Sequence, residues 1–274
     1  MSVISGIGGA VNGQSTVRTW TVTSLADIQA IIASGSKQGT VLVAGNTDWN
    51  GNFTAYGDTP AVMPNEGFTF TGSVDGTKGV TGTAIVDSVE IVIDVETGAV
   101  IAYTVNFSGN GVLTLGAAVA TDTSKPCPAT SIGTKVELGT LAAVFTEIDD
   151  VRTVTITITA DNQSYVSSAT AGGTKRVAGN ISASISITVF EGDPANLPAA
   201  NDEGILRLFV NASEFWEFKF IRFADASDVG VDVEAGAVVG ATLNAQWSAF
   251  AEVSSVCTEG SIKKPDASTY WPLS

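Results

Sequence analysis

The stretch VRTWTVTSLADIQAIIASGSKQGTVLVAGN, Val17 to Asn46, returns at Val151 to Asn180 as VRTVTITITADNQSYVSSATAGGTKRVAGN. The offset is a constant 134 residues and fifteen of the thirty positions are identical, which composition alone does not produce. A period this long points to duplication of a domain rather than to a short-repeat solenoid. The repetition extends further. Pro60 and Pro64 match Pro194 and Pro198, and DVETGAV from Asp94 matches DVEAGAV from Asp232 at an offset of 138. Asn106 and Asn244 keep that second register. The expected organisation is therefore a first repeat over 1–124, a linker Ser124-Lys125-Pro126-Cys127-Pro128, a second repeat over 130–262 and a tail over 263–274. Each repeat has the size of an ordinary domain.

The patterning within the repeats predicts strands. Val154, Ile156 and Ile158 alternate with Thr153, Thr155 and Thr157, and Ile181, Ala183, Ile185, Ile187 and Val189 alternate with serines and Thr188. Period-two alternation puts one face of a strand in a core and the other in water. Further strands are expected over Phe68 to Gly72, Ile205 to Val210, Ala84 to Val95 and Phe215 to Phe223. Two more are expected from Ile101 to Phe107 and from Leu243 to Ala249. Glu96-Thr97-Gly98 and Glu234-Ala235-Gly236 read as turns, as does Asp149-Asp150. The proline-bearing crossings at Pro60 and Pro64, and at Pro194 and Pro198, read as loops or sheet edges, because proline cannot donate to a ladder. Leu25, Ile28, Ile31 and Ile32 recur at helical spacing and predict one short helix. The fold class is all-β, two tandem antiparallel β-sandwich domains with at most one short helix each.

Composition narrows the function. The chain is 44% hydrophobic and 15% charged, enough apolar material for compact cores and far from a disordered composition. A net charge of −15 disfavours nonspecific binding to nucleic acid. The chain has no histidine, which removes Ser-His-Asp and Cys-His catalytic pairs and histidine metal sites. Cys127 and Cys257 are too few for a disulfide framework; pairing across the repeats, or two separate thiols, are both open. GIGGAVNG near the start lacks the Lys-Ser/Thr of a phosphate loop and reads as an N-terminal arm. The first residues lack a secretion signal, and no apolar run is long enough to span a bilayer. Five Asn-x-Ser/Thr triplets, at Asn52, Asn106, Asn162, Asn180 and Asn211, are then incidental to a Ser/Thr-rich chain.

Candidate chemistry is sparse. Asp87, Glu90, Asp94 and Glu96 could hold calcium or serve glycoside hydrolysis. The second repeat, however, keeps only Asp232 and Glu234 of that set, with Asp225 and Asp228 nearby. Phe215, Trp216, Phe218, Phe220 and Phe223 could form a sugar platform, but core or interface packing accounts for them more simply. No catalytic, cofactor-binding or metal-ligating residue is assigned, no cofactor is expected, and the chain is not expected to be an enzyme.

In order, the segments resemble the tail tube proteins of long-tailed bacteriophages. The resemblance is carried by a strand followed by Ala26-Asp27, or by Ala160-Asp161, and by AGN leading into NTDWNGNFT, Asn46 to Thr54. It continues with GTAIVDSVEI from Gly82 and GAVIAYTVNFSGNGVLTL from Gly98 to Leu115. The second repeat departs from it: Ala183 stands where the first has Trp49, and AQWSA from Ala245 replaces FSGNG. The resemblance implies a β-sandwich flanked by a helix, closing into sixfold rings that stack into a tube. A duplicated unit then implies three chains giving six domains. It further implies a virion protein made in a bacterial cytoplasm, with itself and other tail proteins as partners. Double-stranded DNA would be passing cargo, without membrane insertion. An acidic lumen would keep phosphates from sticking. A capsid decoration protein, a carbohydrate-binding adhesin with avidity from two sites, and an enzyme are the competing readings.

Overall fold

The computed structural model describes residues 10–12, 16–32, 39–74, 78–117, 130–131, 133–141, 144–167, 172–190, 197–225, 240–253 and 256–265. The first part of the chain supplies β1 (Ala10–Val11), β2 (Val17–Ile31), β3 (Val41–Tyr56), β4 (Gly67–Ser73), β5 (Gly79–Asp94), β6 (Ala102–Gly109) and β7 (Thr114–Ala117). A hairpin, β8 (Val136–Gly139) and β9 (Phe145–Ile148), precedes β10 (Val151–Ala160), β11 (Gln163–Tyr165), β12 (Lys175–Val177) and β13 (Ile181–Phe190). Then follow β14 (Glu203–Phe209), β15 (Phe215–Asp225), β16 (Gly240–Trp247), β17 (Phe250–Val253), β18 (Val256–Glu259) and β19 (Ile262–Lys263). The protein is all-β, and no helix occurs among the described residues.

The alternation read in the sequence is realised strand by strand. In β10, Val154, Ile156 and Ile158 are buried, and in β13 so are Ala183, Ile185, Ile187 and Val189. In β5 the alternation is broken by a register shift between Val86 and Ser88. A bulge of this kind adds a residue and re-aims the strand. Ile85 and Val86 are consequently both buried before Val89, Ile91 and Ile93 resume the regular spacing. These side chains join Trp49, Phe53, Phe107, Trp216, Phe218 and Phe223 in one hydrophobic cluster that runs through both repeats.

The main sheet has the order β2-β3-β6-β5-β10-β13-β16-β15-β14-β8-β9, with β4 also on β5. The first repeat thus reads β2-β3-β6-β5 with β4 beside β5, and the second reads β10-β13-β16-β15 with β14 beside β15. The same order occurs twice. The two halves meet where β5 of the first pairs antiparallel with β10 of the second, from Thr153 opposite Asp94 to Thr159 opposite Ser88.

One expectation is corrected. Leu25 to Ile32 is not a helix: Leu25, Ile28 and Ile31 lie in β2, paired with Asp48, Ala44 and Val41 of β3. Three isoleucines in four apolar positions favour an extended backbone. The helical spacing also has no core to serve, since β2 and β3 project here as an arm whose residues 23–31 and 41–47 are all exposed. The turns fall where the sequence puts them. Gly98 has φ +62°, and Asp150, with φ +54°, links β9 to β10. Pro60 and Pro64 lie between β3 and β4, and Pro198 precedes β14. The linker Ser124–Pro128, Cys127, Pro194 and the turn at Glu234 lie outside the described residues.

Candidate functional site: a polar face and an open edge

The face of the sheet opposite the core is rich in hydroxyls and amides, with Val92 exposed among them. One row across six strands runs Thr21, Asn52, Asn106, Ser88, Thr159, Ser182. The next runs Thr19, Thr54, Thr104, Glu90, Thr157, Ser184, Gln246, Arg222. Cross-strand pairs of this type hydrogen-bond to each other. Thr54 Oγ1 lies 3.0 Å from Thr104 Oγ1, Asn106 Nδ2 donates to Ser88 Oγ at 2.8 Å, and Thr159 Oγ1 lies 2.7 Å from Ser182 Oγ. The rows cross from one repeat to the other between Ser88 and Thr159 without a break. Charge is scarce on this face. Glu90 and Asp94 stand near the join, and Arg222 near the far side, where it is ion-paired to Glu203.

Three of the four carboxylates considered as a site, Asp87, Asp94 and Glu96, do separate structural jobs. Asp87 accepts from Ser108 at 2.5 Å and from Asn162 at 2.9 Å. Asp94 closes the turn, accepting from the Thr97 hydroxyl at 2.8 Å and its backbone N–H at 3.1 Å. The Thr97 hydroxyl bond is the main reason that the Asp94 carboxyl is held below its ordinary range. Glu96 pairs with Arg152. Among the described residues, no three acidic or cysteine side chains converge as a metal site would require. Trp216, Phe218, Phe220 and Phe223 are buried, and no sugar platform is exposed at that cluster. Elsewhere, the hydrogen bond that Lys135 donates to the Glu137 carboxylate raises the Lys135 pKa, and burial pushes the Tyr103 phenol up to about 12.

The join between the repeats is polar and dense. The second repeat's own arm, β11 and β12 with their flanks, folds over the end of the first repeat. Arg176 forms a two-pronged pair with Asp48, at 3.0 and 2.8 Å, and also donates to the Gly109 carbonyl. Lys175 donates to the Asn110 carbonyl at 3.2 Å, and Asn162 donates to the Val86 carbonyl at 2.9 Å. The Thr47 N–H bonds to the Gly172 carbonyl at 2.7 Å, and the Thr174 N–H bonds to the Thr47 carbonyl at 3.1 Å. Arg152 bonds Glu96 while its guanidinium lies 4.0 Å from the Phe190 ring centre.

β2 is the first-repeat counterpart of β10 and lacks this cover. β10 is paired on both edges, by β5 and β13, whereas among the described residues β2 pairs only with β3. Arg18, the counterpart of Arg152, keeps its ring partner, Tyr56, at 5.2 Å. It forms no ion pair among the described residues. Leu25, Ile28, Ile31, Val41, Leu42 and Val43 make the arm apolar and exposed. The sequence showed Leu25, Ile28 and Ile31 but assigned them, with Ile32, to a helix. The open edge could be found only once β5 was known to pair with β10.

No family model matches the chain, and no curated protein matches it. Among the described residues no helix is long and apolar enough to cross a membrane.

Proposed function

We propose that the chain is a structural virion protein, the subunit of a bacteriophage tail tube. Three chains close into a ring of six repeats around a channel for DNA, and rings stack into the tube. The observation that carries this reading is the pairing of β5 with β10. It joins one repeat to the next edge to edge, and it leaves β2, the strand equivalent to β10, with an unpaired edge. An exposed strand edge is a template for pairing and an aggregation liability unless something covers it. Head-to-tail repetition of the same joint covers every such edge when the rotation closes.

The polar face suits a channel wall. Hydroxyls and amides with few cations give a polyanion nothing to hold, because affinity for DNA comes mainly from Lys and Arg on phosphates. The resemblance of the Asn46–Thr54 and Gly98–Leu115 segments to tail tube proteins points the same way. The test is electron microscopy of the purified protein at high concentration, beside its solution mass. Rings or tubes with threefold symmetry and six lobes are expected. Trimers that never stack but bind empty capsids would replace this reading with a decoration protein. A ring whose inner wall is net basic would rule out the passive channel.

A further inference from the structure

The two arms occupy equivalent positions in their repeats, but their surfaces differ at the residues that make contact. At the constant offset, Asn162, Lys175 and Arg176 of the second arm correspond to Ile28, Val41 and Leu42 of the first. The first three hold the polar join described above. The second three are 61%, 49% and 67% exposed. Three substitutions from polar to apolar at the contact positions, on an arm that also exposes Leu25, Ile31 and Val43, mark an interface.

The receiving surface changes in step. In the first repeat it is Asp48 with the tract Gly109-Asn110-Gly111-Val112. In the second repeat the corresponding residues are Ser182 with Trp247-Ser248-Ala249-Phe250. The acid that receives Arg176 is thus lost where the arm offers Leu42 instead. Phe250 stands exposed beside the place that corresponds to the seat of Lys175. A cleft of about 270 Å³, lined by Thr159, Ser182, Ala183 and Trp247 among others, lies open at the position that corresponds to the seat of the Arg176 guanidinium.

We infer that the β2–β3 arm of one chain docks on the second repeat of another copy of the same chain. Leu42 and Val41 lie against Trp247, Ala249 and Phe250, in the manner of the second arm on the first repeat. The joint within a chain is polar, and the joint between chains is apolar. This inference rests on the ring reading, and it adds which segment makes the seam and by what chemistry. The difference has a physical logic. The joint within the chain is assisted by covalent connection and tolerates a polar surface, whereas association of separate chains has to offset lost translational freedom and draws on apolar burial.

Two experiments test it. In a chain with Cys127 and Cys257 replaced by serine, Thr40→Cys and Ile181→Cys occupy the counterparts of Thr174 and Thr47, which bond within the chain. A short thiol cross-linker is expected to give covalent dimers and trimers, with the series ending at three chains. In the second experiment, Leu42→Arg is expected to weaken association about tenfold or more. Adding Ser182→Asp, which transplants the Arg176–Asp48 pair to the seam, is expected to restore association and to make it salt-sensitive. Leu42 is exposed, so the melting temperature of the dilute chain serves as the control and should not move. Rings that form while the cysteine pair yields no cross-linked chains, or a Leu42→Arg variant that associates normally, would overturn the arm's role while leaving the ring intact. A chain that stays monomeric at high concentration would overturn both.

Discussion

The two repeats solve one packing problem in opposite ways. In the first, Trp49 of β3 is buried across from Gly109 of β6; a Cβ at Gly109 would lie 2.2 Å from the indole nitrogen, so only glycine fits. The indole N–H donates to the Gly111 carbonyl at 2.9 Å. In the second, the equivalent cross-strand pair is Ala183 and Trp247. The indole has moved to the partner strand, and the small residue has moved with it. Close-packed cores conserve volume rather than identity. The exchange is not free of cost: Trp247 Nε1 is buried without a hydrogen-bond partner among the described residues, and such a group forfeits part of its burial gain. A repeat can therefore diverge in its core while keeping its strand order.

The largest expected effect breaks this comparison directly. Trp49→Ala should cost about 3–5 kcal/mol of stability, the range for a buried aromatic truncated to alanine. Adding Gly109→Trp, which copies the second repeat, should recover part of that loss in a denaturant titration. No recovery would mean that the two cores are not interchangeable solutions. Next in size, Arg176→Ala removes a two-pronged pair whose cation is largely buried. It should cost about 1.5–3 kcal/mol, the range for hydrogen bonds to charged groups. Leu42→Ala at the equivalent position should leave thermal stability of the dilute chain within about 0.5 kcal/mol, as expected for an exposed side chain.

Smaller again is the contrast between Arg152 and Arg18. Arg152→Ala loses both its ring contact and its partner Glu96, at a cost of about 1 kcal/mol for partly exposed groups. Arg18→Ala should cost less in the isolated chain and show its effect on assembly. The smallest concerns pH. The Asp94 carboxyl is held below its ordinary value of 3.8 by the Thr97 bonds. Its contribution is therefore present above that value and is lost as pH falls through the lowered folded-state pKa. Asp94→Asn should flatten that part of the acid-melting profile.

Much of the fold was legible because it is written in local period-two alternation. β10 and β13 show this best, with every second residue apolar and every other one Thr or Ser. The arm was misread because Leu25, Ile28, Ile31 and Ile32 satisfy a helical spacing by accident. In the extended arm Ile28 and Ile31, three residues apart in an unbroken register, lie on opposite faces, and both are exposed. The tryptophan exchange was half visible, since Trp49 and Ala183 stand at matched positions. Its completion by Gly109 and Trp247 depends on cross-strand register, which no local pattern encodes. The same holds for the candidate surface. The pairing of β5 with β10, which defines both the polar face and the open edge, joins residues 59 to 71 positions apart.

The most direct test of edge closure is amide hydrogen exchange followed residue by residue at low and high protein concentration. β10, covered on both edges within the chain, should exchange slowly at both. β2, Val17 to Thr23, should exchange quickly when dilute and become as protected as Val151 to Thr157 when the protein assembles. If β2 stays unprotected in an assembled sample, the chains do not join through this edge, and the ring built by repeating the β5–β10 joint is wrong.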